Sequence, residues 1–494
     1  MSRKKQTIEE LLEAALVTEE EQPYVVSKNW IVMKTNTIVD VRDGTHDTPI
    51  YQDTGIPLIT SKNLKNGKLD FTNVKYISKE AHLEISKRSN VEANDILFAM
   101  IGTIGNPVLI EQISQEFSIK NVALFKPNIQ NIDCKYLYYY LQSPIYINYL
   151  KKNEKGSTQK FVPLNVLRNA PLYFPPLSEQ KRIVEKVERL LNKVEEAKQL
   201  IEEAKETFEL RRASILDKAF RGELTRKWRK ENKVVTIANE FLEEINLLKA
   251  GAKTKFKDQL DSGILETLYG LPNEWKWVRL NDLIQSSTYG TSAKTNDDAS
   301  GTPVLRMGNI VDGYILLNSL KYLPNEHEDV LKYDLQTDDL LFNRTNSYEL
   351  VGKTAVITEE LSEKFTFASY LIRVRLFYKD VLATYVSHYI NSHIGRKMLL
   401  SMVTQQVGQA NINSQKLASL PIPLPPKEEV MEITKWLNNY RKLEDEQKEM
   451  LHVEKSIEAL KQSILSKAFR GELGTNDPSE ENAIELLKEI LKSK

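Results

Sequence analysis

The sequence predicts an α+β protein in which two mixed α/β globular domains are joined by two long antiparallel coiled-coil helices, with a pseudo-two-fold internal repeat. Three observations predict it. First, ILDKAFRGEL at Ile215–Leu224 returns as ILSKAFRGEL at Ile464–Leu473, half the chain further on. Second, each copy closes a long charged stretch of helical periodicity that follows a proline pair, Pro175–Pro176 in one half and Pro425–Pro426 in the other. Third, the segments upstream also pair off in the same order. GIPLITSKNLKNGKLD from Gly55 matches GTPVLRMGNIVDGYIL from Gly301, and NDILFAMIGTIGNPVLI from Asn94 matches DDLLFNRTNSYELVGKTAVI from Asp338. The period is too long for a solenoid unit, so each half is a domain followed by a helix.

Length and composition agree with several units. At about 150 residues per domain, 494 residues suggest about three. Cys134 stands alone, which rules out an internal disulfide framework and suits a reducing, cytoplasmic setting. No stretch approaches the roughly 18 to 20 apolar residues that span a bilayer. Lys+Arg 68 and Asp+Glu 68 cancel, whereas a free-standing DNA-binding domain usually carries a basic excess. Long helices can hold much of the acid on solvated faces while basic residues gather elsewhere.

In chain order, residues 1–24 form a short amphipathic helix, its apolar positions broken by Glu13 and so unlike a signal peptide. Residues 25–175 form the first domain, opening on SKNWIVMKTNTIVDV at Ser27. Its short β-branched and aromatic runs between Gly, Asn and Asp turns predict strands. KYLYYYLQSPIYINYLKK from Lys135 supplies one helical segment.

Residues 176–225 are the first helical region. Pro175 and Pro176 end the irregular chain, and Ser178 with Glu179 and Gln180 starts the helix. The apolar positions Ile183, Val187, Leu190, Val194, Ala197, Ile201, Ala204 and Phe208 alternate by four and three, a coiled-coil seam. Arg211 interrupts it and Ile215 resumes it. From Ser178 to Arg221 the helix spans roughly 66 Å at 1.5 Å per residue.

A helical linker, 226–270, leads to the second domain, 271–425, which opens on NEWKWVRLNDLI at Asn273 and carries the helical TYVSHYINSHIGRKMLLSMV from Thr384. The second helical region, 426–474, has a looser seam at Ile433, Leu437 and Tyr440 that recovers at Met450, Val453, Ile457, Leu460 and Ile464. Residues 475–494 are a helical tail. Each half-apolar helix needs a partner, and antiparallel packing of the two against each other puts the domains at opposite ends of a rod.

No catalytic constellation emerges. Gly352, Lys353 and Thr354 imitate the end of a phosphate loop, but Ser347 stands where its first glycine belongs, leaving a turn and strand. His388 and His393 are five apart and miss the one-face spacing of a metal helix. No NPPY-like or glycine-rich methyl-donor loop is present. Glu-x-Lys triplets such as Glu196–Lys198 read as salt-bridged helix surface.

The repeated KAFRGEL endings, the PPLSEQKRI helix start, the IPL-type strand starts and DGTHDTP at Asp43–Pro49 together resemble the specificity (S) subunit of type I restriction-modification enzymes, over nearly the whole chain. The resemblance implies that 25–175 and 271–425 are target recognition domains, each reading half of a split double-stranded DNA site. It implies that the helical regions bind two methyltransferase (M) subunits, which carry S-adenosylmethionine and methylate adenine. This chain would then hold no cofactor, no metal and no catalytic residue, and added motor-nuclease (R) subunits would restrict unmodified DNA. DGTHDTP has no clear counterpart in the second half, where YGTSAKTND begins at Tyr289, so an asymmetric bipartite target is expected. A rod-linked scaffold for protein ligands is the alternative, favoured by neutral charge and opposed by the loop chemistry. A nuclease with an unrecognised site is a third reading, opposed by the missing constellation.

Base edges are read by Asn, Gln, Arg, Lys, Ser and Thr side chains at loop tips that enter a groove. In the first domain the candidates are Thr45, His46, Lys62, Asn63, Thr103, Lys155, Ser157, Thr158, Gln159 and Lys160. In the second they are Lys294, Arg306, Asn309, Asn343, Arg344, Asn346, Gln405, Gln406, Gln409 and Asn411. The same residues also make ordinary turns and solvated connectors, although Gln405 to Asn411 is richer in carboxamides than a turn needs. Tyr138, Tyr139 and Tyr140 either stack on bases or pack in the core. For partners, Phe220, Arg221 and Glu223 with Phe469, Arg470 and Glu472 offer two matching surfaces. The competing reading is a helix cap ending on Gly222 and Gly471.

Overall fold

A computed structural model describes residues 7–22, 24–232, 237–249, 256–266, 268–311, 313–406, 409–451 and 454–493. Its two compact units do not follow chain order: one joins residues 1–201 to 452–494, the other is 202–451.

In the first unit, alternating and continuous apolar runs form a four-stranded antiparallel sheet ordered Val39–Asp43, Val122–Pro127, Ile96–Ala99, Gly105–Leu109. A three-stranded sheet follows the order Lys75–Ile77, Ile56–Ile59, Ser118–Ile119, the last pair parallel. Ile31–Lys34 pairs antiparallel with Pro171–Phe174, joining the start of the domain to its end.

The second unit repeats this plan. Its four-stranded sheet runs Ile284–Tyr289, Leu371–Leu376, Leu340–Asn343, Thr354–Val356, and its three-stranded sheet runs Lys321–Leu323, Thr302–Leu305, Thr366–Phe367. Lys276–Arg279 pairs with Pro421–Leu424. The duplication legible in the sequence is therefore a duplication of topology.

The helical segment expected in each domain is two helices. Cys134–Tyr140 stops before Ser143, whose side chain accepts from Tyr146 N, and Pro144 opens Pro144–Asn153. A serine N-cap followed by proline restarts a helix instead of continuing one. Lys379–Asn391 likewise gives way to His393–Ser401 at Ser392, which caps Gly395 N. A Cβ at Gly395 would lie 1.9 Å from Tyr389 O, so this close junction requires glycine.

The first long helix is continuous over 44 residues, Leu177–Phe220. The second helical region is described as Lys427–Leu451 and Glu454–Phe469. The expected seam residue Val453 and the Met450 side chain lie outside the described residues. Ile183, Val187, Val194, Ile433, Leu437, Ile457 and Ile464 are buried as the seam requires. Ala197 and Leu460 are exposed, so the seam is not continuous along either helix.

Within each unit the helices are antiparallel. In the first, Lys186 reaches Leu473 O at 2.5 Å and Glu195 reaches Lys461 at 3.2 Å. In the second, Arg212 lies 3.9 Å from Glu444, and Thr225 meets Glu429.

Candidate nucleic-acid interface

In the first unit the chain forms a concavity of about 440 Å³ lined by Lys62, Thr103 and Gln159, together with Thr60, Ser61, Lys120 and Asn121. Three separate segments supply the first three. Lys62 rides on the short turn Ser61–Asn63, Thr103 on the turn after Ile96–Ala99, and Gln159 on a hairpin closed by Lys155 and Phe161, each N–H donating to the other's carbonyl at 2.9 Å. Gly156 holds that hairpin at φ +94, with Gln159 O only 2.2 Å from where a Cβ would be. Lys155, Ser157, Thr158 and Lys160 are exposed on it, Lys160 paired with Glu154 at 2.6 Å.

Thr45 and His46 are tied to the same concavity. His46 Nδ1 lies 3.0 Å from Asn121 Oδ1, and Nε2 lies 2.7 Å from Asp43 Oδ2. Lys120 and Asn121 were not among the sequence candidates. Their signal was a Lys-Asn dipeptide between two β-rich runs, with Asn121 at φ +55.

In the second unit the equivalent hairpin is a small sheet, in which Gln409–Asn411 pairs with Thr345–Asn346 and with Thr404–Gln406. Gln409 is exposed, while Asn411 Nδ2 donates to Thr345 Oγ1 at 3.0 Å. Gln405 and Gln406 hold strand positions, and their side chains lie outside the described residues. Asn346 accepts from Ser347 N at 2.8 Å. Arg344 lies over the Tyr289 ring at 4.6 Å, next to this sheet in the chain. Lys294 is exposed, and Arg306 is half-buried with NH2 on Ser319 O at 2.8 Å.

Three expected readers are corrected. Asn63 is buried: its Oδ1 accepts from Thr60 N at 3.0 Å, and its Nδ2 donates to Asp70 O at 2.9 Å. Asn309 is buried in the same way, between Arg306 N at 2.9 Å and Leu316 O at 2.7 Å. Both carboxamides brace a loop from inside and face no groove. Asn343 has no exposed surface and donates to Met307 O at 3.2 Å. Among the tyrosines, Tyr140 is in the core and Tyr138 and Tyr139 are half-buried.

The partner candidates also divide. Phe220 packs edge-on against Tyr385 and Tyr389, with ring centroids 5.4 and 5.2 Å away, and Phe469 does the same with Tyr136 and Tyr140 at 5.2 Å. Both phenylalanines are fully buried and cannot meet a partner. The first copy's Phe thus anchors the second domain, and the second copy's Phe anchors the first. Glu223 and Glu472 are exposed. Arg221 covers the Tyr269 ring at 4.5 Å, and Arg470 covers Tyr24 at 4.7 Å. The helix-cap reading holds: Gly222 and Gly471 lie at φ +75 and +74, and Glu223 N and Glu472 N reach back to Lys218 O and Lys467 O at 2.9 and 2.8 Å.

Two buried carboxylates had no signal in the sequence, where Glu179 reads only as part of a helix start. Glu179 and Glu429 are fully buried at the starts of the long helices, each receiving a tryptophan indole. Gly352, at φ +83, lies in a turn that runs into the strand Thr354–Val356. Among the described residues, no group of three or more His, Cys, Asp or Glu is placed to hold a metal.

Two domains of matching topology, each packed against a helix from the other half of the chain, define a duplicated, helix-braced binding scaffold. The model of the type I restriction modification DNA specificity domain matches residues 27–206 and 272–453, and the chain belongs to that family. It is 26% identical over 461 residues to the type I restriction enzyme EcoKI specificity subunit of Escherichia coli K12, covering 90% of this chain and 89% of that one. It is 24% identical over 432 residues to the StySPI specificity subunit of Salmonella potsdam, covering 85% and 83%.

A solved chain from a study of complex assembly and conformational transition of the type I R-M system shares the fold at TM-score 0.64 and 21% identity, covering 91% of this chain and all of that one. The HsdS subunit of Thermoanaerobacter tengcongensis shares it at TM-score 0.50 and 20% identity, covering 92% and 100%. The chain is a non-catalytic DNA specificity subunit of a type I restriction-modification system.

Proposed function

We propose that the chain reads an asymmetric bipartite DNA site, one half per recognition domain, and so directs two methyltransferase subunits to adenine. Motor-nuclease subunits joining them restrict unmodified DNA. S-adenosylmethionine belongs to the methyltransferase partners, and the assembly works in the cytoplasm. The observation that carries this reading is the repeated topology with different side chains at corresponding positions: Lys62, Asn121 and Phe161 in one domain stand where Gly308, Ser369 and Asn411 stand in the other. Base contacts specify and frames position, so two unlike tip sets on one frame read two unlike half-sites.

The test replaces residues 25–175 with the domain of another family member and maps methylated adenines across a genome. One half-site changes and the other stays. If both change together, independent reading is wrong. The purified chain alone turns over no S-adenosylmethionine, and measurable turnover would count against the assignment of that cofactor to its partners.

A further inference from the structure

At one place the two domains share a backbone frame and differ completely in hydrogen-bonding chemistry. In the first, Thr45 N donates to Ile119 O at 3.1 Å, Asn121 N to Thr45 O at 3.2 Å and Lys120 N to Ile59 O at 2.8 Å. In the second, Thr291 N donates to Phe367 O at 2.8 Å, Ser369 N to Thr291 O at 2.8 Å and Ala368 N to Leu305 O at 2.9 Å. Both frames demand glycine just before the threonine. A Cβ on Gly44 would lie 2.3 Å from Ile119 O, and one on Gly290 would lie 2.1 Å from Phe367 O. This register makes Ser292 the counterpart of His46, Ala368 that of Lys120 and Ser369 that of Asn121.

The first-domain side chains form a chain of contacts. Asp43 is buried, with Arg88 on one carboxylate oxygen and His46 Nε2 on the other. A carboxylate only accepts, so Nε2 carries the proton that faces it. His46 Nδ1 faces Asn121 Oδ1, which also only accepts, so the ring donates from both nitrogens, and Lys120 Nζ donates to Thr48 in the same loop. Lys120 and Asn121 both line the concavity that holds Lys62, Thr103 and Gln159. The serine, alanine and serine of the second domain supply no imidazole, ammonium or carboxamide.

We propose that Asn121 reads a base edge in the first half-site and that His46, clamped by Asp43, is the positioning residue that fixes the plane of its carboxamide. The inference rests on the DNA-reading function above. A carboxamide offers a donor and an acceptor side by side, which matches the edge of one base pair in the major groove only if its plane is held. One hydrogen bond from a ring that is itself locked supplies that hold. Ser369, a single rotating hydroxyl, discriminates less, so the first half-site carries a base requirement at this position that the second lacks.

The test uses the full chain assembled with its methyltransferase partners and selection of bound duplexes from a randomised DNA library. Asn121→Ser and His46→Ser each relax the preference at the same one or two base positions of the first half-site by about fivefold or more, leaving the second half-site intact. His46→Gln, which can bridge Asp43 and Asn121, restores the preference. Asn121→Asp keeps the side chain's size and turns its donors into acceptors, so the preference shifts toward a base presenting a donor.

Uniformly weaker binding with every base preference intact overturns the proposal, as does relaxation by His46→Ser at a different position from Asn121→Ser. Exchange of residues 25–175 is the parallel control. If that exchange changes a half-site while Asn121→Ser and Asn121→Asp do not, this inference fails and the DNA-reading function stands. If the exchange changes nothing, the function itself fails.

Discussion

The indole Nε1 of Trp275 donates to Glu429 Oε2 at 2.9 Å, and Trp30 repeats the contact with Glu179 Oε2 at 2.8 Å. Each glutamate sits at the start of a long helix and also receives a threonine that follows a KAFRGEL copy, Thr225 on Glu429 and Thr475 on Glu179. One carboxylate therefore ties a domain's opening strand, the helix leaving that domain and the end of the helix arriving from the other half. The two sites differ in one partner: Arg229 pairs with Glu429, whereas Asn476 Nδ2 donates to Glu179 at 2.8 Å.

That difference ranks two substitutions. Glu429→Gln leaves the Arg229 guanidinium, with a side chain only 12% exposed, lacking its counter-charge. Breaking a buried pair this way costs about 3–5 kcal/mol. Glu179→Gln disturbs hydrogen bonds from neutral groups and costs about 1–3 kcal/mol. Denaturant unfolding of the full chain measures both, and a Glu179→Gln loss equal to or larger than the other would refute the ranking.

The buried phenylalanines predict a separation of stability from assembly. Phe220→Ala or Phe469→Ala empties an aromatic site in a closed core and costs about 3–5 kcal/mol, seen in the denaturant midpoint. Charge reversal at the exposed Glu223 and Glu472 leaves that midpoint unchanged and weakens co-purification with the methyltransferase subunits. Normal assembly of the doubly reversed variant would remove these glutamates from the partner surface.

His388 predicts an acid-sensitive second unit. Burial, with Arg441 and Arg212 nearby, lowers its imidazole from an ordinary 6.5 to about 3. Above pH 6.5 the ring is neutral in both folded and unfolded chains, so it adds no pH dependence there. Below that, the unfolded chain binds a proton that the folded chain refuses, and stability falls until the pH reaches the folded value. Between pH 6.5 and 5 the loss is about 1.5 kcal/mol. Urea unfolding across that window shows the slope in the native chain and removes it in His388→Leu; matching slopes would mean another group titrates.

The sheets and their duplication were legible because β-branched runs and turn residues repeat in order, and the seam was legible at Ile183, Val187 and Val194, where spacing and burial coincide. The helix breaks at Ser143 and Ser392 were masked by apolar residues on both sides, although each serine is a cap. The destination of Phe220 and Phe469 was not legible, because a helical period shows that a face is buried but not which domain buries it. Asn63 and Asn309 look like readers in sequence because loop bracing and base reading use the same carboxamide, and only burial tells them apart. Lys120 and Asn121 became candidates once the parallel pairing of Ile56–Ile59 with Ser118–Ile119 brought them beside Lys62.

The continuous helix predicts how the spacing of the target responds to its length. Leu177–Phe220 gives Ile183, Val187 and Val194 to one core and Leu216, Ala219 and Phe220 to the other, and Ala204 lies between these groups. Inserting four residues after Ala204 lengthens the connection by about 6 Å at roughly 1.5 Å per residue. At roughly 3.4 Å per base-pair step this equals about two base pairs. Four residues also turn the helix by about 400°, close to its original facing, whereas two turn it by about 200° and reverse it. Slippage of the partnering helix absorbs part of the added length, so the four-residue variant gains one or two base pairs of spacer and keeps both half-site sequences. The two-residue variant loses assembly. The methylated-site consensus of each variant, read across a genome, decides the matter: an unchanged spacer in a fully active four-residue variant means the helix does not set the gap.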